Sequence, residues 1–398
     1  MNFNKLILYS SVFSIQSLSN AAIPILPELA GAGSRDPFAS NLLFSGYFIG
    51  ALLALVPFGI LADRVGNLKI IGFGILLTAL SGTVISFSDS LWVLGIARFL
   101  EGVGCGAFFP AAFSMISEWK DSQRSLGEFN FLLNAGLAAG VFLSGMLAGL
   151  GIKTAIGIFT LLAGFSCIFL LSETGEFLSS VRTEKKLTFR NDKYPVKNQQ
   201  HTSLDQQRTS LNQQFTHLPF ELRKYLKKFW ETVLKSNFGH IWGVSVLLYG
   251  TTGILTANYA NYSAGFLTKP ELGLAISASY LAAMFSSLVA GRLKVNSKNI
   301  VRLGIILASA GILLSLKMPV LAFFLIGAGG GLAVVGLITA VSKINSSGFA
   351  MGFFNTGIYA GLGLGPVFGS FFLEFFGYKT VFLGSALLLL TTLFVKLE

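Results

Sequence analysis

Apolar residues run along this chain in blocks of about 20, interrupted by short polar or glycine-containing breaks. Crossing roughly 30 Å of hydrocarbon at about 1.5 Å per residue takes about 20 residues of helix, so each block has the length of one membrane span. Six blocks lie near residues 6–29, 39–58, 69–88, 91–117, 125–150 and 152–171. Six more lie near 239–262, 271–291, 300–316, 319–341, 348–373 and 378–396. The first is too long for a signal peptide's apolar region and contains Pro24 and Pro27, so it reads as a span rather than a cleaved leader.

Between the two sets lies a segment of another kind. Residues 173–238 hold twelve Lys or Arg and seven Asp or Glu, 19 of the chain's 47 charges. It is rich in Asn and Gln and reads as a polar tether. Its last part differs: after Pro219, the residues Leu222, Leu226, Phe229 and Val233 share one helical face, and Arg223, Lys224, Lys227 and Lys228 lie off it. Such a basic amphipathic helix suits an anionic membrane surface, while a plain solvated lead-in to the seventh span explains the same residues. The expected organisation is an N-terminal six-helix bundle over 1–172, a cytoplasmic linker over 173–238 and a C-terminal six-helix bundle over 239–398.

Composition agrees with this pattern. The chain is 53% hydrophobic and 12% charged, against about a quarter charged in a soluble domain. Its net charge of +11 follows topology, not nucleic-acid binding. An even number of crossings puts both termini on one side, and that side carries 23 Lys or Arg against five on the other, with Arg98 set aside as intramembrane. The bias of Lys and Arg toward cytoplasmic loops places both termini and the linker in the cytoplasm, the expected location being the plasma membrane. Cys105 and Cys167 fall inside spans, where a free thiol acts as a small apolar side chain, and imply no disulfide framework or metal set.

The two sets of spans look like copies. A shift of 225 residues lays Gly127, Phe129, Asn130, Ala135, Gly136 and Gly140 over Gly352, Phe354, Asn355, Ala360, Gly361 and Gly365. A shift of 232 sets Gly59 and Leu61 over Gly291 and Leu293. Parallel repeats of this kind place a substrate site between the halves near the bilayer midplane.

Three motifs narrow the reading. The turn after the second span runs Gly59-Ile-Leu-Ala-Asp63-Arg64-Val-Gly66-Asn-Leu-Lys69. The fourth span reads Arg98-Phe-Leu-Glu101-Gly102-Val-Gly104-Cys-Gly106, and the first carries Pro24-Ile-Leu-Pro27. Together these resemble the signatures of the major facilitator superfamily, in particular its twelve-span drug-efflux branch. Two positions depart from that pattern: Asn67 stands where the family usually has Arg, and Val141 follows Gly140 where proton-coupled exporters carry proline. The proline form appears in the eleventh span instead, as Gly365-Pro366.

The resemblance implies an all-α membrane fold of twelve helices in two pseudo-symmetric bundles, working by alternating access. It also implies a conformational latch of Gly59, Asp63, Arg64, Gly66 and Lys69, with Asp63 facing the start of the eleventh span. Unpaired amides around Ser346 to Gly348 would attract a carboxylate there.

Arg98 lies about seven residues into its span, roughly 10 Å deep, where a guanidinium needs a partner or a wet cavity. It anchors substrate or a coupling carboxylate, or else pairs structurally with Glu101 one turn on. Other polar side chains placed to line a cavity are Gln16, Asn20, Tyr47, Asn130, Asn134, Tyr249, Tyr280, Asn355 and Tyr359, types that equally serve as helix-packing hydrogen bonds. The cluster Asn258, Tyr259, Asn261 and Tyr262 reads as an interfacial belt.

No nucleotide-binding loop or metal cluster is seen in the sequence, so no cofactor and no enzymatic step are expected, and a gradient would supply the energy. The first reading is proton-coupled export of a small amphipathic or aromatic compound by a monomer in the bilayer. Uptake of a small organic anion, with Arg98 as counter-ion, and a non-transporting sensor are the alternatives.

Overall fold

A computed structural model of the chain describes residues 3–31, 37–184, 238–292, 295–344 and 348–396. Helices dominate for a physical reason: in hydrocarbon each unpaired backbone amide or carbonyl costs several kcal/mol, and a helix satisfies them within its own segment. Six helices make the first half: α1 (Phe3–Ala21), α2 (Pro37–Val65), α3 (Asn67–Phe87), α4 (Leu91–Ser117), α5 (Ser122–Leu147) and α6 (Thr154–Glu184). The second half has α7 (Phe238–Ser263), α8 (Lys269–Arg292), α9 (Ser297–Leu314), α10 (Pro319–Ile344) and a long helical stretch, Gly348–Thr391.

That stretch breaks at Gly377, whose φ of 70° and ψ of 168° leave the helical region, and its two arms are α11 (348–376) and α12 (378–391). Among the described residues ten helices are long and apolar enough to cross a membrane, the last of them carrying this break. With the shorter apolar helix Thr154–Leu170 and the broken helix counted as two, the chain crosses twelve times. An even number returns it to the side on which it began; the opposite side is called the far side below. Pro24 and Pro27 end α1 early, in a 3-10 turn at Ile23–Ile25 followed by the single helical turn Leu26–Leu29.

The turn between α2 and α3 shows why the motif there needs glycine. Gly66 alone separates the helices, at φ 102° and ψ 140°, a conformation nearly closed to residues with a Cβ. Asn67, at the position where the family usually has Arg, donates from Nδ2 to Ser114 Oγ on α4 at 3.2 Å.

Within each half, α2 packs on α4, α3 on α4 and α1 on α5, and correspondingly α8 on α10 and α9 on α10. The contacts repeat in register. A methyl group added at Gly102 would overlap the Tyr47 carbonyl, and one at Gly327 would overlap the Ser279 carbonyl. One added at Gly136 would lie 2.6 Å from the Phe13 carbonyl oxygen, and one at Gly361 2.6 Å from that of Val246. Gly102 to Gly327 is the shift of 225 found on α5 and α11, and Tyr47 to Ser279 is the 232 found on α2 and α8. The sequence repeat is therefore a repeat of helix contacts, built on small residues that let backbones touch.

The far-side end of α7 differs from its expected place at the membrane interface. Asn258 and Tyr259 are fully buried. Tyr259 Oη donates to the Ser315 carbonyl at 2.6 Å, and its ring stands edge-on to Phe323 at 4.9 Å. Their amphipathic character serves packing between helices, which the sequence pattern alone does not separate from an interfacial belt.

Met1–Leu171 and His240–Glu398 together form one compact unit. The proposed amphipathic stretch after Pro219 lies outside the described residues.

Candidate functional site

The centre of the site is a buried ion pair on α4. Arg98 and Glu101 are 2% and 0% exposed, with Arg98 Nη1 2.7 Å from Glu101 Oε2. The i, i+3 spacing puts the two side chains on one face of the helix. The guanidinium is also fixed by main-chain carbonyls of two neighbouring helices. Its Nη1 donates to Ser19 O on α1 at 3.1 Å and its Nε to Leu43 O on α2 at 3.3 Å. Its carbon lies over the Tyr47 ring at 4.9 Å, a cation–π contact. The other carboxylate oxygen, Glu101 Oε1, is buried with no hydrogen-bond partner.

Tyr47 passes the cluster on. Its hydroxyl lies 2.9 Å from Cys105 Sγ, to which it donates, and 3.5 Å from Gln16 Oε1. From the second half, Tyr359 on α11 comes beside the Cys105 thiol, and its ring stacks obliquely on Phe48 at 6.2 Å. Tyr280 on α8 comes beside the Asn20 carboxamide, whose Nδ2 donates to Leu137 O on α5 at 3.3 Å. Arg98, Glu101, Tyr47, Asn20, Tyr280 and Tyr359 thus meet where the halves face each other.

Other expected residues sit apart from this cluster. Asn130 is exposed on α5, and its carbonyl accepts from Asn134 Nδ2 at 2.9 Å. Asn355 is half-buried on α11. Tyr249 packs its Cβ against Gly361 where α7 meets α11. Of the latch set, Gly59 packs toward Pro110 on α4, and Asp63, Arg64 and Lys69 are exposed around the Gly66 turn. The expected partner of Asp63, around Ser346, lies outside the described residues.

The repeat isolates what is special. The shift that carries Gly102, Gly104 and Gly106 onto Gly327, Gly329 and Gly331 carries Arg98 onto Phe323 and Glu101 onto Ile326. At these positions the second half packs its helices with buried apolar side chains in place of the ion pair. Phe48 and Cys105 were missing from the sequence-based set; Cys105 stands one turn after Glu101 on the same face, a signal that was available.

On the far side, Lys269 Nζ lies 2.7 and 2.8 Å from the two Glu28 carboxylate oxygens and donates to Pro24 O at 2.7 Å. Asn41 on α2 donates from Nδ2 to Asn258 Oδ1 on α7 at 3.0 Å. Gly145 and Gly273 bring the backbones of α5 and α8 together, so that a methyl at Gly273 would sit 3.1 Å from Gly145 Cα. None of these joins was foreseen from the pattern. Among the described residues no three of His, Cys, Asp or Glu are grouped to hold a metal ion.

The sequence profile of the Major Facilitator Superfamily matches residues 8–268 and 241–397. The chain belongs to the major facilitator superfamily. It is a multi-pass membrane protein. The solved nucleoside transporter NupG, in a point-mutant form, superposes with a TM-score of 0.70 over 98% of both chains at 14% identity, a likeness of fold.

Curated relatives include the multidrug resistance protein MdtG of Escherichia fergusonii, 30% identical over 169 residues, which are 42% of this chain and 41% of that one. The quinolone resistance protein NorB of Staphylococcus aureus is 28% identical over 175 residues, 42% of this chain and 36% of the relative. A putative inorganic phosphate cotransporter of Drosophila melanogaster is 28% identical over 132 residues, 32% of this chain and 25% of the relative. The chain therefore spans between a quarter and about two fifths of the length of these relatives.

Proposed function

We propose that the chain exports a small amphipathic or aromatic compound from the cytoplasm in exchange for protons, with Glu101 as the group that carries the proton. One observation carries the reading: a fully buried Arg98–Glu101 pair, present in one half only, with one carboxylate oxygen left without a partner. A buried carboxylate oxygen without a donor is costly, and a proton bound there would remove the charge that makes it so while loosening the hold on Arg98. Arg98, Tyr47 and Cys105 link that event to Tyr359 in the other half, where helices move relative to one another. Substrate would meet Tyr280 and Tyr359 beside the pair, with Asn130, Asn134, Asn355 and Tyr249 as further candidate contacts away from it.

The same geometry weighs against an anion-uptake role. Arg98 already holds a carboxylate and two carbonyls, so an anionic substrate would have to displace Glu101 into a buried position without its counter-charge. The excess of Lys and Arg on the side of the termini supports a cytoplasmic location for both. The far side is then external, and the contacts at Glu28, Asn41 and Gly145 close it in this structure. Asp63 would act in the opposite state, tying α2 to the start of α11.

The resistance proteins among the relatives favour export as the direction. The reading is tested by reconstituting the protein in vesicles with an imposed pH gradient and following ethidium as a planar amphipathic probe. Accumulation against its gradient, with protons flowing the other way, supports export by exchange. Ethidium movement indifferent to the pH gradient contradicts proton coupling, and binding without flux favours the sensor.

A further inference from the structure

We propose that Glu28 and Lys269, seated on the glycine seam of Gly145 and Gly273, form a charged latch that holds the far side of the transporter shut. The two residues come from different halves: Glu28 follows α1 and Lys269 opens α8. Lys269 Nζ reaches both carboxylate oxygens and the Pro24 carbonyl, three acceptors within 2.8 Å. The side chains are only 25% and 31% exposed, so the contact is partly withdrawn from solvent. Pro24 and Pro27 belong to the short turns where α1 ends early, and there the Pro24 carbonyl accepts from Lys269 and Glu28 stands in the single turn beyond it.

Beneath the ion pair the halves touch main chain to main chain. A methyl at Gly145 would come 3.0 Å from Gly273 Cα, and one at Gly273 2.9 Å from the Val141 carbonyl oxygen. Asn41 and Asn258 add a buried hydrogen bond between α2 and α7. The latch belongs to one place only: the internal repeat puts Pro37 at the position of Lys269, at the opening of α2.

Opening the far side must separate these groups. Their loss stabilises the far-side-open state relative to this one, and a ligand-free protein reports the change as a population shift. The inference requires alternating access alone and holds whatever the substrate, the direction of flux or the coupling ion.

The test is a distance measurement between spin labels on Leu150→Cys and Phe266→Cys, exposed far-side positions in different halves. The native thiols Cys105 and Cys167 are buried and stay unlabelled. The labelled parent should populate a short distance. Glu28→Gln and Lys269→Gln should each move the ratio of long to short distances upward on the order of tenfold, the factor that corresponds to about 1.4 kcal/mol. Asn258→Ala should move it in the same direction without changing charge.

The charge swap Glu28→Lys with Lys269→Glu should bring the short distance back, and it decides the matter even if a single variant does not purify. Unchanged distances in the single variants, or a swapped chain that stays open, would overturn the latch. Neither result bears on proton coupling, which is read from flux.

Discussion

Gly102 shows how much one atom matters here, because its missing Cβ is what lets α4 lie against the Tyr47 carbonyl of α2. The obstacle is main chain, which no rotamer change relieves, so Gly102→Ala should destabilise the protein by about 1–3 kcal/mol. Gly95→Ala on the same helix, where nothing lies within 4 Å of the added methyl, should be neutral or slightly stabilising. Thermal unfolding of the two variants in one detergent checks this, and equal melting temperatures would contradict the packing account.

The Arg98–Glu101 pair admits a similar separation of roles. Removing one partner leaves a buried charge, so Arg98→Ala should lower stability by roughly 3–5 kcal/mol. Replacing both with apolar residues of similar size, Arg98→Met with Glu101→Leu, should restore the fold, as Phe323 and Ile326 do in the second half. Restored folding with transport still absent is the expected result; restored folding with full pH-driven transport would reduce the pair to helix packing.

At the scale of elements, the spans were readable because hydrocarbon thickness dictates block length, and the motif turn because Gly66 must take a positive φ. Which helices adjoin was not legible; the repeat showed only that the two sets of spans are copies. The far-side joins of Glu28 with Lys269 and Asn41 with Asn258 connect positions more than 200 residues apart with no shared pattern, so nothing in the sequence pointed to them. Asn258 and Tyr259 mislead for a related reason: an amphipathic residue near a span end suits either lipid headgroups or a neighbouring helix, and only packing decides.

A thiol in a span reads as a small apolar group, and only the Tyr47 hydroxyl beside it joins Cys105 to the cluster. The α2–α3 turn supplies this scale's prediction. Asp63→Asn should leave insertion and melting temperature unchanged, because Asp63 is exposed, while cutting transport severely. Undiminished flux through the Asn variant would remove the turn from the transport cycle.

At the scale of the whole molecule, two six-helix halves share a packing scheme and differ at the position of the Arg98–Glu101 pair. The shared scheme explains how the halves can rock as units, since each is tied internally by glycine contacts of the same register. Under the proposed coupling, this difference would be where energy enters, since only the first half carries a buried ion pair at that position. The central claim is that protonation of Glu101 couples the rocking to a proton gradient. Ethidium flux in proteoliposomes, with wild type and Glu101→Gln compared under an imposed pH gradient and in gradient-free exchange, tests it most directly. The account predicts that the Gln variant exchanges ethidium near the wild-type rate but no longer concentrates it when the gradient is applied. A Gln variant that still accumulates ethidium against its gradient would place the coupling group elsewhere.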